Sequence, residues 1–320
     1  MDFGPLKFAP VYQPKIWGGR NLERVFHRFL PPGKIGESWE ISMHRSGRSV
    51  VVEPAELAGW TLEQLCQKYP QEIIGGEQRD FPLMVKLIDA QDVLSVQVHP
   101  DDDYAVRNNT IEPGKTEMWY VLAADPGAKL IYGLKPGTTR ERLERAIASG
   151  TVSECLNEIT VKPGDCFFIP AGAVHALGAG ILVLEIQQTS DAVYRIFDWN
   201  RTDDQGRPRP LHVRQALEVI DFTFDPAQTA QRPGGSPDAE VLAACPFFTV
   251  TKHRLRAGIS FTVDHPGFKI ITSLNQRLRI ESNAYTVQLD AGSSCLIPAG
   301  CSHWQAYAAD GDAEIICSIR

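Results

Sequence analysis

The sequence lacks long apolar runs and concentrated charge of either sign. No stretch of about 18 apolar residues occurs in its 320 residues, so no segment is typical of a transmembrane helix. The N-terminus has no basic region followed by an apolar one, the pattern of a secretory signal. The 32 basic and 39 acidic residues give a net charge of -7 without a block of five or six like charges. We therefore expect a cytoplasmic protein that binds neither membranes nor nucleic acids.

Cysteine pairs are also missing. The seven cysteines are scattered, and none belongs to a Cys-x-x-Cys pair. This odd, unpatterned count predicts reduced thiols and argues against a disulfide framework or a four-cysteine zinc site. With 43% hydrophobic residues the chain can instead bury a large apolar core, enough for two domains that share an interface.

The stretch of residues 94–99 is the most informative part of the chain. Read as a strand, it places Ser95, Gln97 and His99 on one face and apolar side chains on the other. Two further polar groups extend this set. Glu117 lies in a second alternating run, and His175 follows a third apolar run and a Pro-Ala-Gly turn.

Together Gln97, His99, Glu117 and His175 form a candidate metal-binding set. They offer one amide oxygen, two imidazole nitrogens and one carboxylate, a mixture that zinc accepts. An additional open position would make such a site catalytic. We predict one zinc ion per chain, with manganese, iron and cobalt left open by the ligand types alone.

An internal repeat indicates two related β units. Residues 164–175 recur as residues 292–303 at a constant offset of 128, with Gly, Ile-Pro-Ala-Gly and His in the same places. A segment rich in proline, glycine, serine and glutamine separates the two copies. We predict a catalytic domain at 1–225, a linker at 226–238 and a second domain at 239–320.

The repeated unit resembles the cupin family of small antiparallel jelly-roll barrels, in which a histidine after Pro-x-Gly points into the barrel. The resemblance implies a mainly β fold of two cupin-like antiparallel jelly-roll barrels. The stretch preceding the second copy, 270–280, contains no histidine. We therefore predict that His303 is either a relic or a structural residue and that the second barrel binds no metal.

Other segments carry local signals. Thr61 with Gln64, and Thr138 with Glu141, have the capping-box form, the latter opening a small helical insertion at about 138–158. Residues 99–104 are predicted to form a loop, whose aspartates 101–103 are typical of a solvated turn but could bind a hard cation.

The irregular first 60 residues are predicted to form short strands and loops. Within them Trp17, Trp39, Glu37 and Glu40 are candidates either for a pocket or for the edge of a core.

Several motifs taken together resemble type I mannose-6-phosphate isomerases, in the short form without a long helical insertion. The motifs lie at residues 81–86, 94–102, 114–120, 169–176 and 194–195. The resemblance implies that Gln97, His99, Glu117 and His175 bind zinc, that Ser95, Lys115 and Arg195 bind substrate, and that Lys115, Glu185 and Arg195 act in catalysis.

The reaction implied by this resemblance interconverts mannose 6-phosphate and fructose 6-phosphate through a cis-enediol. A metal would stabilise the enediolate, and Arg195 and Lys115 would face the phosphate. The proton carrier stays open among Lys115, Glu185 and a metal-bound water. Two simpler interpretations also stay open: that Lys115 is a solvated turn residue, and that Arg195 only pairs with a nearby aspartate such as Asp198.

Two other functions remain possible from the sequence. One is a cupin isomerase of another sugar phosphate, such as glucose 6-phosphate, because its metal chemistry would be the same. The other is a non-catalytic sensor that binds a sugar phosphate. The expected partner is thus a small sugar phosphate, and the expected assembly is a monomer or a small homo-oligomer.

Overall fold

The protein is mainly β, as predicted. The computed structural model describes residues 3–202, 205–229, 234–236, 238–283 and 285–320. Its strands are β1 Leu6–Ala9, β2 Val11–Gly19, β3 Ile35–Ile41, β4 Val50–Glu53, β5 Leu83–Ala90, β6 Val96–Val98, β7 Glu117–Ala124, β8 Lys129–Leu134, β9 Leu156–Thr160, β10 Cys166–Ile169, β11 His175–Ala176, β12 Ile181–Gln188, β13 Tyr194–Phe197, β14 Gly234–Ser236, β15 Ala239–Ala244, β16 Thr249–Leu255, β17 Lys269–Ser273, β18 Leu278–Ser282, β19 Thr286–Leu289, β20 Ser294–Ile297, β21 Trp304–Ala308 and β22 Ala313–Ile319.

The helices are short and lie between these strands. They are α1 Asn21–Phe26, α2 Leu62–Lys68, α3 Pro70–Ile73, α4 Asp102–Arg107, α5 Arg140–Ser149, α6 Val213–Val219 and α7 Pro226–Thr229, with 3-10 turns at Ala55–Leu57 and Val152–Cys155. Within the described ranges, no helix has the length and apolar character needed to span a membrane.

Four antiparallel sheets form successive layers. A five-stranded sheet (β13-β6-β11-β8-β9) faces a six-stranded sheet (β10-β7-β12-β5-β3-β2) across one apolar core, which includes Val121, Val183 and Leu130. An eight-stranded sheet (β14-β15-β16-β22-β17-β20-β1-β4) faces a three-stranded sheet (β19-β18-β21) across another, which includes Ile271 and Ile280. The sandwich arrangement lets each strand alternate inward and outward side chains.

The two sandwiches share a third core between their large sheets. It joins Leu87 and Leu184 of the first sandwich to Ile270, Leu296 and Ile316 of the second. In addition, strand β1 from the N-terminus pairs with β20 of the second sandwich. The predicted division at residues 225 and 239 stays a prediction; its linker falls partly outside the described residues, and the described part contains α7 and β14.

The predicted helical insertion is confirmed as α5 and the following 3-10 turn, packed on the outer side of the five-stranded sheet through Leu143 and Val152. Its predicted cap was wrong by one residue: the hydroxyl of Thr139, not Thr138, accepts the hydrogen bond from the backbone N–H of Arg142. The capping box of Thr61 and Gln64 on α2 is confirmed.

Two predictions of irregular structure were incomplete. The proposed loop after His99 contains helix α4, whose first turn is capped by the Asp101 carboxylate accepting from the N–H of Tyr104. The Asp102 carboxylate accepts hydrogen bonds from Gly114 N–H and the Gln188 side chain, so it anchors a neighbouring loop. Helix α1 was also missed among the first 60 residues.

The pairing of the strands is also equivalent in the two repeated units. Ile169 on β10 pairs with Glu117 on β7, and its repeat partner Ile297 on β20 pairs with Lys269 on β17. Lys269, which is only 4% exposed, thus occupies the strand position that Glu117 has in the first unit. His303, the repeat partner of His175, is exposed just before β21.

Candidate active site and metal centre

Three of the four predicted metal ligands converge inside the first sandwich. His99 follows β6, Glu117 opens β7 and His175 opens β11, and one potential ligand atom from each lies within 4.8 Å of the others. His175 Nε2 is 3.3 Å from Glu117 Oε1, and His99 Nε2 is 3.6 Å from Glu117 Oε2. Such a buried set of two imidazoles and a carboxylate fits a metal ion by its donor types.

The local contacts of the two histidines suit this use. His175 Nδ1 lies 2.9 Å from the carbonyl of Ala173, so a proton on Nδ1 leaves the Nε2 lone pair directed at the centre. Burial lowers the pKa of His99 to about 3 and also lowers that of His175, so both rings are neutral near pH 7. The side chain of Gln97, the fourth predicted ligand, lies beside them with its amide nitrogen 3.3 Å from His175 Nε2, so a half-turn of the amide would present its oxygen there.

A row of side chains crosses the six-stranded sheet next to this centre. The register aligns Trp39 on β3, Lys86 on β5, Glu185 on β12 and Trp119 on β7 as direct neighbours. Each tryptophan donates its indole N–H to a carboxylate at 2.7 Å: Trp39 to Glu37, and Trp119 to Glu185. The row therefore fixes two charged side chains between two rigid aromatic rings.

Glu185 lies between two ammonium groups. Its Oε1 is 3.8 Å from Lys86 Nζ and 3.9 Å from Lys115 Nζ, and has no hydrogen-bond partner among the described residues. Burial, and then the charge of Glu117, raise the pKa of Glu185 to about 7. A carboxylate with such a pKa can both accept and release a proton near neutral pH.

Lys115 is buried beside the metal centre. It is 4% exposed, and its Nζ lies 2.6 Å from Glu117 Oε2 and 3.4 Å from His99 Nε2. Burial alone would lower the pKa of Lys115, but Glu117 and Glu185 outweigh it and raise the pKa. The plainer interpretation of Lys115 as a solvated turn residue is therefore wrong.

Ser95 and Arg195 form the other predicted part of the site. Arg195 on β13 pairs with Gln97 on β6, and its Nε donates to Ser95 Oγ at 3.2 Å. The suggested pairing of Arg195 with Asp198 is wrong, because Asp198 is occupied by Arg201 and Arg209.

Arginine side chains gather at this end of the site. Arg201 pairs with both Asp198 and Asp92, and Arg209 pairs with Asp198. The Arg195 side chain instead donates to Ser95 and to the carbonyl of Pro210. Burial, followed by the charge of Arg209, lowers the pKa of the Arg195 guanidinium. An anionic group on a ligand would be attracted to this guanidinium.

Sequence reasoning missed Lys86. It lies in the apolar run at 83–88, which predicts a fully buried strand and gives no reason to assign the lysine a role. Its Nζ lies 3.8 Å from Glu37 and 3.8 Å from Asp191, and 4.8 Å from the centroid of a Trp39 ring. A lysine inside an otherwise apolar strand was the available signal.

The four early candidates for a pocket divide between two faces of the sheet. Glu37 and Trp39 contact Lys86 and so border the site. Glu40 faces away and makes a bidentate pair with Arg28, at 2.7 and 2.9 Å. Trp17 is buried in the core between the first two sheets.

Comparison with known proteins decides the family. The family model described as phosphomannose isomerase type I, catalytic domain, matches residues 6–120. The chain is 37% identical over 316 residues to a probable mannose-6-phosphate isomerase of Bacillus subtilis, covering 98% of both proteins. It is 38% identical over 324 residues to a mannose-6-phosphate isomerase of Streptococcus mutans, again covering 98% of both. The chain belongs to the type I phosphomannose isomerase family.

The similarity to this family extends to the whole fold. The crystal structure of mannose 6-phosphate isomerase from Bacillus subtilis superposes with a TM-score of 0.90 at 32% identity, covering 99% of this chain and 100% of the other. Both sandwiches are therefore shared with a phosphomannose isomerase, and the metal-binding His, Glu and His cluster lies within the first of them.

Proposed function

We propose that this chain is a metal-dependent aldose-ketose isomerase that interconverts mannose 6-phosphate and fructose 6-phosphate. Full-length similarity to mannose-6-phosphate isomerases supports this reaction. The observation that carries the proposal is the position of Glu185 Oε1, which lies between Lys86 and Lys115 next to the metal cluster. This buried oxygen has no hydrogen-bond partner among the residues that the structure describes. A proton carrier beside two fixed cations is what transfer between C1 and C2 of a sugar needs.

The metal would be held by His99, Glu117 and His175, with the amide oxygen of Gln97 completing the set. When bound, it supplies Lewis-acid stabilisation of negative charge on the sugar oxygens. The donor types support zinc as the resident ion.

Glu185 carries the proton in this proposal. Its Oε2 is fixed by the indole N–H of Trp119, so Oε1 is the oxygen free to take a proton from one sugar carbon and return it to the next. The ammonium groups of Lys86 and Lys115 stabilise the negative charge of the cis-enediolate from either side. Lys115 stays protonated throughout, because its carboxylate neighbours raise its pKa.

Arg195 and Ser95 bind the phosphate in this proposal. The guanidinium has a planar fork that matches phosphate oxygens, and Ser95 can donate its hydroxyl proton to the same group. Arg195 NH1 donates to the carbonyl of Pro210 at 2.7 Å and Nε donates to Ser95, contacts that orient the fork before substrate arrives.

The experiment that tests the function joins metal analysis to a substrate panel. Protein purified without added metal is expected to contain about one zinc per chain and to isomerise mannose 6-phosphate. Chelation should abolish turnover and zinc should restore it. Equal or faster turnover of glucose 6-phosphate would favour an isomerase of that sugar instead. Binding of mannose 6-phosphate without turnover in the zinc-loaded protein would favour a sensor.

A further inference from the structure

A carboxylate outside the proposed active site joins three connections of the first sandwich. Glu112 lies in the connection from α4 to β7, three residues before Lys115. Both of its oxygens are 3.2 Å from His44 Nε2, and one is 2.7 Å from Arg45 NH2, in the connection from β3 to β4. Its Oε2 also accepts from the backbone N–H of Asp191, at 3.2 Å, in the connection from β12 to β13.

Two routes lead from Glu112 to Lys86. Asp191, held through its backbone, has its own carboxylate 3.8 Å from Lys86 Nζ. His44 packs edge-on against Trp39, with ring centroids 5.7 Å apart, and the Trp39 ring lies 4.8 Å from the same ammonium. Two of the groups that surround Lys86 are thus fixed by one carboxylate.

Two further hydrogen bonds hold the segment that leads into Lys115. The hydroxyl of Ser190 donates to the carbonyl of Pro113 at 2.8 Å, and the hydroxyl of Thr110 donates to the carbonyl of Glu112 at 2.6 Å. The backbone on which the Glu112 carboxylate is mounted is therefore itself anchored. Only 18% of the side chain is exposed, so solvent screens these contacts less than it screens a surface pair.

The ionisation of Glu112 suits this role. Burial alone would raise its pKa, but the N–H of Asp191, His44 and Arg45 outweigh burial and lower the pKa. His44 Nδ1 accepts a hydrogen bond from the N–H of Ser46 at 3.2 Å, which leaves Nε2 as the ring nitrogen that donates a hydrogen bond to Glu112.

We propose that Glu112 is a positioning residue for the isomerase reaction, which holds Asp191 and His44 so that Lys86 stays in place beside Glu185. The proposal rests on the proposed function of Lys86. Glu112 itself touches no reacting atom in this account. Its contribution is to limit where the Lys86 ammonium can move, because small displacements of a group that stabilises charge are costly to catalysis.

The test is a double-mutant cycle between Glu112→Gln and Lys86→Met. The amide of Glu112→Gln keeps the size of the side chain but cannot accept from His44, Arg45 and Asp191 as the carboxylate does. We expect kcat to fall about tenfold with KM within about twofold of the unchanged protein, and with bound metal unchanged. In the Lys86→Met background, Glu112→Gln should cause no further loss.

The matched control is Glu158→Gln, which removes a half-exposed carboxylate paired with Lys129 at 3.1 Å. It should leave kcat unchanged. Glu112→Asp, which keeps the charge on a shorter side chain, should recover part of the kcat that Glu112→Gln loses. An equal fold-loss from Glu112→Gln with and without Lys86→Met would overturn the proposal, since it would mean that Glu112 acts independently of Lys86.

Amide hydrogen exchange separates this proposal from the proposed function. If Glu112 holds the connection from β12 to β13, exchange in the segment 189–193 is faster in Glu112→Gln than in the unchanged protein and unaltered in Glu158→Gln. Unchanged exchange in Glu112→Gln overturns the proposed positioning role of Glu112 even if the protein is an isomerase. Absence of isomerase activity overturns the proposed function, whereas faster exchange in Glu112→Gln would still show that Glu112 holds this connection.

Discussion

At the scale of single residues, the site contains a series of largely buried side chains whose charges alternate in sign. Lys15, Glu37, Lys86, Glu185 and Lys115 follow one another at separations of 3.1 to 3.9 Å. Taking any one charge away leaves its neighbours buried and unbalanced, which costs more than the loss of an exposed pair. Substitutions in this series should therefore affect both stability and chemistry.

Arg195→Ala tests the phosphate end of the site. We expect kcat/KM for mannose 6-phosphate to fall about 100-fold, because the guanidinium that we propose binds the phosphate is lost. Inhibition by inorganic phosphate should weaken in parallel. Steady-state kinetics measures both quantities. Arg214→Ala, which removes a guanidinium whose side chain is 90% exposed, is the control and should change neither. Unchanged turnover in Arg195→Ala would remove Arg195 from the mechanism.

Glu37→Gln tests the buried charge series through acid stability. Burial alone would raise the pKa of Glu37, but Lys86 and Lys15 outweigh it and lower the pKa from 4.5 to about 2. A depressed carboxyl pKa stabilises the fold fully above the unfolded value and loses that contribution as pH falls toward 2. Its size is on the order of 3 kcal/mol.

The measurement for Glu37→Gln is the urea midpoint between pH 2.5 and 7. The unchanged protein should lose stability below about pH 4.5 more steeply than Glu37→Gln does. Glu63→Gln, which removes an exposed carboxylate paired with Arg48, should leave the acid limb unaltered. Parallel curves for Glu37→Gln and the unchanged protein would contradict the assignment.

At the scale of secondary-structure elements, close backbone contacts fix where the strands deliver their side chains. Gly114 lies where the connection to β7 crosses the start of α4, and a Cβ on it would come within 2.4 Å of Asp102 N and 2.5 Å of Asp101 C. Both are backbone atoms, so the connection itself would have to move. Lys115 and Glu117 follow directly and would move with it.

Gly114→Ala should therefore reduce both metal content and stability. We expect a destabilisation of about 1–3 kcal/mol from the steric conflict, and less than one metal ion per chain. Metal analysis and thermal unfolding measure the two effects. Gly76→Ala is the control, since a Cβ there meets no atom within 4 Å. Full metal content in Gly114→Ala would show that the connection can adapt.

Some secondary-structure elements could be predicted from the sequence and others could not. Alternation identified the strands that carry Gln97 and Glu117, because successive side chains of a strand point to opposite faces. The predicted strand at 94–99 was too long, and His99 lies just after β6. Helix α4 was missed because three aspartates after a proline are equally typical of a turn, and only the Asp101 cap distinguishes them.

Contacts between distant segments could not be predicted in this way. In the sequence, Lys86 lies in an apolar strand and nothing nearby indicates which residues it contacts. Its carboxylate neighbours come from distant positions, residues 37, 185 and 191. The pairing of Asp198 with Arg201 and Arg209 likewise depends on loop geometry. The jelly-roll description and the domain boundaries remain predictions.

At the scale of the whole molecule, the two sandwiches stabilise one another. Their shared core joins Leu184 of the first to Leu296 of the second, and strand β1 completes the sheet of the second sandwich beside β20. Neither contact is available to one half alone. Folding of the two units should therefore be cooperative.

A chain cut after residue 225 should not form a stable fold. It keeps the metal ligands but exposes the apolar face that Ile270, Leu296 and Ile316 cover, and leaves β1 without its partner β20. The full chain should unfold in urea in one transition, with tryptophan fluorescence and circular dichroism coincident. A cooperative transition in the shortened chain, or two separated transitions in the full one, would contradict this.

The position of Lys269 has a consequence for how the two units could have diverged. A lysine at the strand position that Glu117 has in the first unit would repel a divalent cation, so new donor residues elsewhere in the second unit would bind it weakly while Lys269 remains. Replacing Lys269 alone would not build a site either, because His303 is exposed and residues 270–280 contain no histidine. If the second unit binds no metal, as we predict, gaining a site would take several substitutions together.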